Sequence, residues 1–160
     1  MTDQGFLVDF QAGRMDRSPT GRLDSPAFHR NYQPILRVLS ERLGDRTGDV
    51  LEIGSGSGQH ATVFARALSG LTWWPTDPEP AHLTSISIWQ SESGTSNLMP
   101  PFLLDVRGDW LGGGDGDPRP EPPLCAILAI NILHIAPWSV VSALFGGASR
   151  LLADDGSLFL

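Results

Sequence analysis

Residues 50–60, with the sequence VLEIGSGSGQH, decide the fold of this chain. An apolar run ends in an acid, three glycines alternate with serines, and an amphipathic segment follows. This order predicts a strand, a tight turn and the start of a helix, because glycine allows positive φ angles and lets a ligand approach the backbone. The first N–H groups of such a helix have no partner within it and point at the space above the turn.

The glycine spacing is G-x-G-x-G, whereas dinucleotide-binding folds use G-x-G-x-x-G. The dinucleotide pattern needs a glycine at position 59, where this chain has Gln59. The acid Glu52, shortly before the first glycine, is a second discriminator. Together the two features are similar to the first motif of class I S-adenosylmethionine (SAM) methyltransferases. A nucleotide-dependent oxidoreductase is the weaker hypothesis, and a glycine turn that binds nothing stays open.

The composition indicates one globular domain. The chain has 160 residues, of which 41% are hydrophobic and 18% are charged. No apolar run approaches the ~20 residues of a membrane span, and residues 1–10 do not resemble a secretory signal. The single cysteine, Cys125, excludes an internal disulfide and is expected to be buried and inert. We expect a cytoplasmic protein without a membrane partner.

The charge of the chain argues against a nucleic-acid partner, because the formal net charge is −7. All 11 basic residues are arginine, so Schiff-base and P-loop lysine chemistry is excluded. The four histidines and one cysteine have no metal-ligand spacing, so no metal is expected. The sequence leaves the oligomeric state open.

Strand and helix patterns alternate along the chain, which predicts an α/β fold with parallel strands and right-handed crossovers. A helix is expected to begin at Ser25-Pro26, with a capping serine oxygen, and to end at Gly44; Pro34 either kinks it or restarts it. Strands are predicted at 49–53, 71–76, 102–106, 124–130 and 157–160, and helices at 57–68, 80–92 and 137–152.

Two polar segments are predicted to lie outside the regular elements. Residues 1–24 form a flexible N-terminal segment ahead of a SAM-binding domain at 25–160. Its arginines Arg14, Arg17 and Arg22 either reach an anionic substrate or belong to a solvated tail. The loop at 108–123 is rich in Gly, Pro and Asp, and its Asp115 and Asp117 lack the pattern of a calcium loop.

Four polar residues each close a predicted apolar strand: Glu52, Asp77, Asp105 and Asn131. An open parallel sheet binds ligands at the carboxyl ends of its strands, near the switch in strand order. One such acid alone more often caps a helix or faces water, but four strand ends indicate a common crevice.

The parts of SAM suit these residues. Asp77 lies 21 residues after Gly56 and is expected to accept the two ribose hydroxyls. Asp105 and the backbone of Val106 would meet the adenine edge. The remaining expected cofactor contacts come from the acid, the glycine turn and the fourth strand end, namely Glu52, Gly54, Ser55, Gly56, Gly58 and Asn131.

Methyl transfer is an in-line displacement, so catalysis depends chiefly on holding the nucleophile near the methyl group. The segment 131–138, NILHIAPW, is expected to face that methyl group. Asn131 and His134 are the catalytic candidates; His134 is either a base or a histidine satisfied within its turn. Trp138 is either a packing residue or a wall of the pocket. His60 is expected to cap its helix or face solvent.

From about residue 25 onward the chain resembles a small methyltransferase-like family of unknown function, the one that contains methyltransferase-like protein twenty-six. The matching strings are SP at 25–26, RN at 30–31, PIL at 34–36, LEIGSGSGQH at 51–60, WPTD at 74–77, NLMPP at 97–101, LDV at 104–106 and INILHIAPW at 130–138. The resemblance implies a Rossmann-like class I methyltransferase fold with a doubly wound parallel sheet in strand order 3-2-1-4-5. It also implies that Arg30 and Asn31 close over cofactor or substrate.

Members of that family continue past the fifth strand, so the resemblance implies a truncated sheet whose fifth strand is an apolar edge. The leading hypothesis is a SAM-dependent methyltransferase that transfers a methyl group to O or N of a small molecule. Protein substrates stay open. The alternative is a non-catalytic SAM-binding or pseudoenzyme module that acts through a protein partner.

Overall fold

The computed structural model describes residues 15–112, 118–133 and 136–160. The elements along this part of the chain are β1 (Asp16–Arg17), β2 (Leu23–Asp24), α1 (Pro26–Leu43), β3 (Gly48–Glu52), α2 (Gln59–Ala67), β4 (Leu71–Asp77), α3 (Pro80–Ser93), β5 (Phe102–Leu103), β6 (Leu124–Leu128), α4 (Trp138–Leu151) and β7 (Leu152–Phe159). Within the described ranges, no helix combines the length and apolar character needed to cross a bilayer.

The main sheet has five parallel strands in the order β5-β4-β3-β6-β7. In terms of the predicted strands this is the order 3-2-1-4-5, so the predicted α/β, Rossmann-like topology is confirmed. The order reverses beside β3, and the glycine turn follows that strand. Ligand crevices of open parallel sheets form at such a switch point.

Both faces of the sheet are buried, which explains the continuous apolar runs in its central strands. Along β3, Val50 packs into one core with α1 and α2, and its neighbour Leu51 packs into the opposite core with α4. The same alternation separates Trp73 from Trp74 on β4. Successive side chains of a strand point to opposite faces, so each central strand serves both cores.

Several predicted boundaries are wrong. β5 has only two residues and β6 ends at Leu128, so Asp105 and Asn131 lie in the turns that follow these strands. The last strand begins at Leu152 rather than at 157, because the chain becomes extended directly after α4 and Leu152 pairs with Leu124. The helix after the glycine turn begins at Gln59, two residues later than predicted.

The predicted serine cap of the first helix is also wrong. Ser25 is the N-cap residue of α1, but its side chain makes no capping hydrogen bond. Its backbone N–H instead donates to Oε1 of Gln59 at 2.7 Å. Pro34 neither restarts nor ends α1, which runs through it on an exposed face.

Residues 16–24, predicted as part of a flexible segment, contain the antiparallel pair of β1 and β2. Leu23 is fully buried, and its backbone is held from α3: its N–H donates to Oγ of Ser85 at 2.8 Å, and its carbonyl accepts from Nε1 of Trp89 at 3.0 Å. This part of the segment is therefore packed against the domain. Arg14 lies outside the described residues.

Candidate functional site

The turn after β3 has three glycines at positive φ: 64° at Gly54, 57° at Gly56 and 91° at Gly58. Such angles are costly for other residues, which explains the repeated glycine. At Gly58 there is also no room, because a Cβ atom would lie 2.8 Å from Cα of Ile86 on α3. Gly58 is thus required for packing of the turn against α3.

Most N–H groups of the turn are bound within the protein. The N–H of Ser55 donates to the carbonyl of Thr76 at 2.7 Å, and the N–H of Gly58 donates to the carbonyl of Ser55 at 3.0 Å. The N–H of Gly56 donates to Oδ2 of Asp77 at 2.9 Å. Glycine turns that bind phosphate present free N–H groups to it. This arrangement disfavours a dinucleotide diphosphate.

A cavity of about 610 Å³ opens over this turn at the carboxyl ends of the strands. Its volume lies in the range typical of small-molecule sites. The predicted residues that line it are Glu52, Gly54, Ser55, Gly56, Asp77, Asp105, Val106 and Asn131. The structure thus brings eight predicted site residues together in one crevice.

Asp77, at the end of β4, is buried and holds three protein donors. Its Oδ2 accepts from Gly56, and its Oδ1 accepts from the N–H of Glu79 at 3.0 Å and from Nδ1 of His82 at 2.9 Å. A carboxylate has about four lone-pair sites, so roughly one, on Oδ2, is left for a ligand. Asp77 therefore has room to accept a hydrogen bond from about one ligand hydroxyl, rather than from the two that the sequence led us to expect.

His82 is buried beside Asp77. Burial alone would lower the pKa of His82, but the hydrogen bond and the negative charge of Asp77 outweigh it and raise that pKa above its usual value. Its Nε2 is buried without a hydrogen-bond partner. No sequence pattern indicated this residue. Its contact with Asp77 forms because the first turn of α3 lies beside the end of β4.

Glu52, at the end of β3, is almost fully buried, with 2% of its surface exposed. Its Oε2 accepts a hydrogen bond of 2.6 Å from Nε1 of Trp73 on β4. Burial raises the pKa of Glu52 to about 7; the hydrogen bond from Trp73 opposes this shift and the charge of Asp77 adds to it. The carboxyl is therefore close to half-ionised at neutral pH.

On the opposite side of the cavity, Asp105 is half-exposed and held by Arg107. The guanidinium donates to both carboxylate oxygens, at 3.0 Å from Nε to Oδ1 and at 2.7 Å from Nη2 to Oδ2. These bonds hold the pKa of Asp105 below its usual value. Val106 is buried and contributes an apolar wall, and Asn131 adopts a φ of 58° in the turn after β6.

Other predicted residues do not reach the cavity wall. Gly58 lies beneath the turn against α3, Arg30 is exposed on α1, and Asn31 is bound to His60. The side chain of Trp138 is 80% exposed at the start of α4, so it neither packs in the core nor lines the cavity. His134 lies outside the described residues, as do Asp115 and Asp117, and its role stays a prediction.

Gln59 is a functional candidate that the sequence analysis missed. It is buried, and its Oε1 accepts from the N–H of Ser25 at 2.7 Å and from Oγ of Ser57 at 2.9 Å. Its Nε2 donates to Oδ1 of Asp24 at 3.0 Å. Gln59 thus fastens the N-terminal segment to the glycine turn. The available signal was a long polar side chain at the position where dinucleotide folds place glycine.

His60 lines the cavity, so the expectation that it caps α2 or faces solvent is wrong. Its Nε2 lies 2.8 Å from Oδ1 of Asn31, and its ring packs between Phe28 and Phe64. Burial lowers the pKa of His60 to about 4, so the imidazole is neutral at pH 7. With Asn31 accepting from Nε2, the lone pair of the imidazole is on Nδ1.

No three His, Cys, Asp or Glu side chains within the described part of the chain form a group that could hold a metal ion. Among the described residues, four carboxyl groups and one guanidinium line the cavity: Glu52, Asp77, Glu79, Asp105 and Arg107. The electrostatic environment therefore favours a ligand with positive charge.

A family model described as "Protein of unknown function (DUF938)" matches residues 22–160. The chain belongs to this family. The matched residues include the glycine turn, every strand of the five-stranded sheet and all of the described cavity lining except Met15.

Solved methyltransferase structures share the fold at low sequence identity. Coclaurine N-methyltransferase, bound to N-methylheliamine and S-adenosylhomocysteine (SAH), is 18% identical over 79% of this chain and 34% of its own, with a TM-score of 0.61. A SAM-dependent methyltransferase from Thiobacillus denitrificans, in complex with SAH, is 18% identical over 78% of this chain and 46% of its own, with a TM-score of 0.57.

The sugar N-methyltransferase KedS8 from Streptoalloteichus is also similar, at 18% identity over 82% of this chain and 47% of its own, with a TM-score of 0.56. The chain therefore spans less than half the length of each of these three proteins. At such identities the likeness establishes the Rossmann-like class I methyltransferase fold.

Proposed function

We propose that this chain binds SAM and transfers its methyl group to an O or N atom of a small molecule. The observation that carries the proposal is the acid-lined cavity of about 610 Å³ over the glycine turn. The shared fold supports it, and two of the similar proteins are named as N-methyltransferases of small molecules. We also propose that the chain is similar to methyltransferase-like protein twenty-six and that its SAM-binding domain begins at Ser25. A cytoplasmic location is part of the same proposal.

The residues present fit SAM in charge and in shape. SAM carries a net positive charge at neutral pH, which suits the excess of carboxyl groups around the cavity. A Cβ atom on Gly56 would lie at an ordinary contact distance of 3.8 Å from Cε of Met15, so glycine is favoured there by its φ of 57° rather than by lack of space. The internally bound N–H groups of the turn disfavour a diphosphate, which SAM does not contain.

SAM, when bound, supplies a methyl group that a nucleophile can attack. In our proposal Asp77 accepts a ribose hydroxyl on its remaining lone pair, and Glu52 places negative charge at the floor. Val106 and Ile132 contribute apolar walls that limit the access of water. Exclusion of water strengthens each electrostatic contact in the site.

The acceptor side is proposed to lie between the N-terminal segment and the turn that contains Asn131. His60 can accept a hydrogen bond at Nδ1 from an O–H or N–H group, since its imidazole is neutral at pH 7. His134 stays the candidate base. Arg30, Asn31 and Trp138 lie away from the cavity wall, so a role for them in substrate binding requires a different arrangement of the chain.

Isothermal titration of the purified chain with SAM, SAH and NADH tests the proposal. We expect binding of SAM and SAH and none of NADH, followed by release of labelled SAH from SAM in the presence of small-molecule extracts. Binding without turnover would favour the SAM-binding module that acts through a protein partner. Binding of NADH alone would favour an oxidoreductase, and failure to bind any of the three would contradict the proposed cofactor.

A further inference from the structure

Glu52 is the most buried of the four acids that line the cavity, with 2% of its surface exposed. Its carboxyl accepts a hydrogen bond of 2.6 Å from the indole of Trp73, and a hydrogen bond from the side chain of Ser55 also lowers its pKa; neither donor carries a charge. A buried carboxylate without a bonded cation is expensive, so the group takes up a proton instead. Burial indeed raises the pKa of Glu52 to about 7.

Among the residues that the structure describes, the other charged groups around the cavity do not supply the missing positive charge. Asp77 on β4 opposes ionisation of Glu52, and His82 of α3 is hydrogen-bonded to Asp77. His60 of α2 is neutral at pH 7. Arg107 is bound to Asp105 in the turn after β5, and Glu79, which lines the cavity at the start of α3, is itself an acid. A cation that favours the ionised form of Glu52 can therefore come from the ligand.

The two ligands of the proposed reaction differ by one unit of charge. SAM has a sulfonium, an ammonium and a carboxylate, whereas SAH has a neutral thioether in place of the sulfonium. A positive charge close to a buried carboxyl lowers its pKa, and each unit of that shift corresponds to a tenfold difference in affinity between its two protonation states.

Building on the proposed function, we infer that Glu52 is the residue through which the site distinguishes SAM from SAH. Its carboxyl is ionised when SAM is bound and takes up a proton from solvent once the methyl group has left. The proton released on SAM binding and the proton taken up afterwards balance over one cycle. Because SAH has no sulfonium, ionisation of Glu52 favours SAM over SAH, and this preference grows as the pH rises.

Isothermal titration at pH 6.0 and pH 7.5 measures this linkage and stays below the usual pKa of an α-amino group. For a carboxyl with a pKa near 7 that SAM keeps ionised, SAM should bind about eightfold more tightly at pH 7.5. SAH should change by less than about twofold. At pH 6.5, titrations in buffers of different ionisation enthalpy should give a release of about 0.8 proton with SAM.

Three variants separate Glu52 from its neighbours. Glu52→Gln keeps an acceptor for Trp73 and should remove the pH dependence of SAM binding. Asp49→Asn is the matched control, because Asp49 accepts from Nε1 of Trp74 at 2.8 Å outside the cavity. His82→Asn keeps a donor for Asp77 but removes the imidazole whose pKa the contact with Asp77 raises. Both controls should keep the eightfold dependence.

Equal pH dependence for SAM and SAH would overturn the inference, as would its persistence in Glu52→Gln or its loss in His82→Asn alone. If Glu52→Gln fails to fold, proton release by the wild-type chain decides: equal release with SAM and SAH contradicts the inference. Failure of the wild-type chain to bind either ligand contradicts the proposed function instead, so the two failures are distinguishable.

Discussion

The backbone N–H of Gly56 donates a 2.9 Å hydrogen bond to Oδ2 of Asp77, which lies 21 residues further along the chain. This contact joins the glycine turn after β3 to the end of β4. The other oxygen, Oδ1, holds the N–H of Glu79 and the ring of His82 at the start of α3. One buried carboxylate therefore fixes both the shape of the turn and the position of the helix beside it.

Replacement of Asp77 should impair stability and ligand binding together. Asp77→Ala leaves the N–H of Gly56 and the ring of His82 without their acceptor, so the free energy of unfolding should fall by about 1–3 kcal/mol. SAM affinity should fall at least about tenfold through loss of the charged hydroxyl acceptor. Urea denaturation and calorimetry measure the two effects. Asp155→Ala, which removes a surface ion pair to Arg46, is the control and should change stability by less than about 1 kcal/mol.

Unchanged SAM affinity in folded Asp77→Ala would remove this residue from the ligand site. Loss of SAM affinity with an unchanged free energy of unfolding would show instead that the hydrogen bond between Gly56 and Asp77 contributes little to the stability of the free protein.

Gly58 and Gly94 separate the cost of a positive φ from the cost of a clash. Both have φ angles that disfavour other residues, 91° and 63°. A Cβ atom on Gly58 would lie 2.8 Å from Cα of Ile86, whereas one on Gly94 meets nothing within 4 Å. We expect Gly94→Ala to cost about 1 kcal/mol and Gly58→Ala about 1–3 kcal/mol more. If urea denaturation gives equal losses of stability for the two variants, α3 moves away from the new Cβ atom at no measurable cost.

The sequence sufficed to predict the order of the strands and the residues at their carboxyl ends. Glu52, Asp77 and Asp105 follow apolar runs, and a parallel topology brings such positions to one edge. That prediction needed only the chain direction of each strand. The prediction that Asn131 lines the cavity holds although the predicted end of its strand is wrong by two residues, because the turns after the strands line the same cavity.

The contacts between distant segments were not predictable in this way. Gln59 bonds to Asp24 and Ser25, and His60 bonds to Asn31, across 29 to 35 residues of chain. These bonds depend on how α1 and the N-terminal segment pack against α2. Hydrophobic periodicity fixes which face of a helix is buried, but it does not specify which polar groups meet at the edge of that face.

Gln59 should control the attachment of the N-terminal segment. Gln59→Leu replaces the polar side chain with an apolar one of similar size and leaves the N–H of Ser25 and the hydroxyl of Ser57 without their shared acceptor. We expect trypsin to cleave after Arg17 and Arg22 at least about fivefold faster, because loss of buried hydrogen bonds favours local opening. Mass spectrometry of the fragments measures the rate.

The matched control is Gln33→Leu, because Gln33 is exposed and bonds only to the hydroxyl of Tyr32, at 3.2 Å. It should be cleaved at the wild-type rate. An unchanged rate in Gln59→Leu would show that Leu23 and its bonds to α3 are enough to hold the segment.

His60 should make the fold sensitive to mild acid. Burial lowers the pKa of His60 in the folded chain to about 4 from its usual value of 6.5, so the unfolded chain binds more protons between these two pH values. Its contribution is fully present above pH 6.5 and is lost as the pH falls through 4. The loss should be on the order of 1–3 kcal/mol. The contribution of Glu52 to stability depends on pH in the opposite sense. Its raised pKa favours the fold below pH 4.5, and this contribution is lost as the pH rises through about 7.

Comparison of each variant with the wild type cancels the contribution of Glu52. His60→Gln has no titrating ring and keeps a polar group for Asn31, so its free energy of unfolding should lose the acid-dependent decline between pH 6.5 and 4. His29→Gln removes an exposed imidazole that is paired with Asp24 and should keep most of that decline. Urea denaturation at half-unit pH intervals measures both slopes. Parallel wild-type and His60→Gln profiles would mean that the ring is hydrated in the folded chain, and the cavity wall beside α2 would then be open to water.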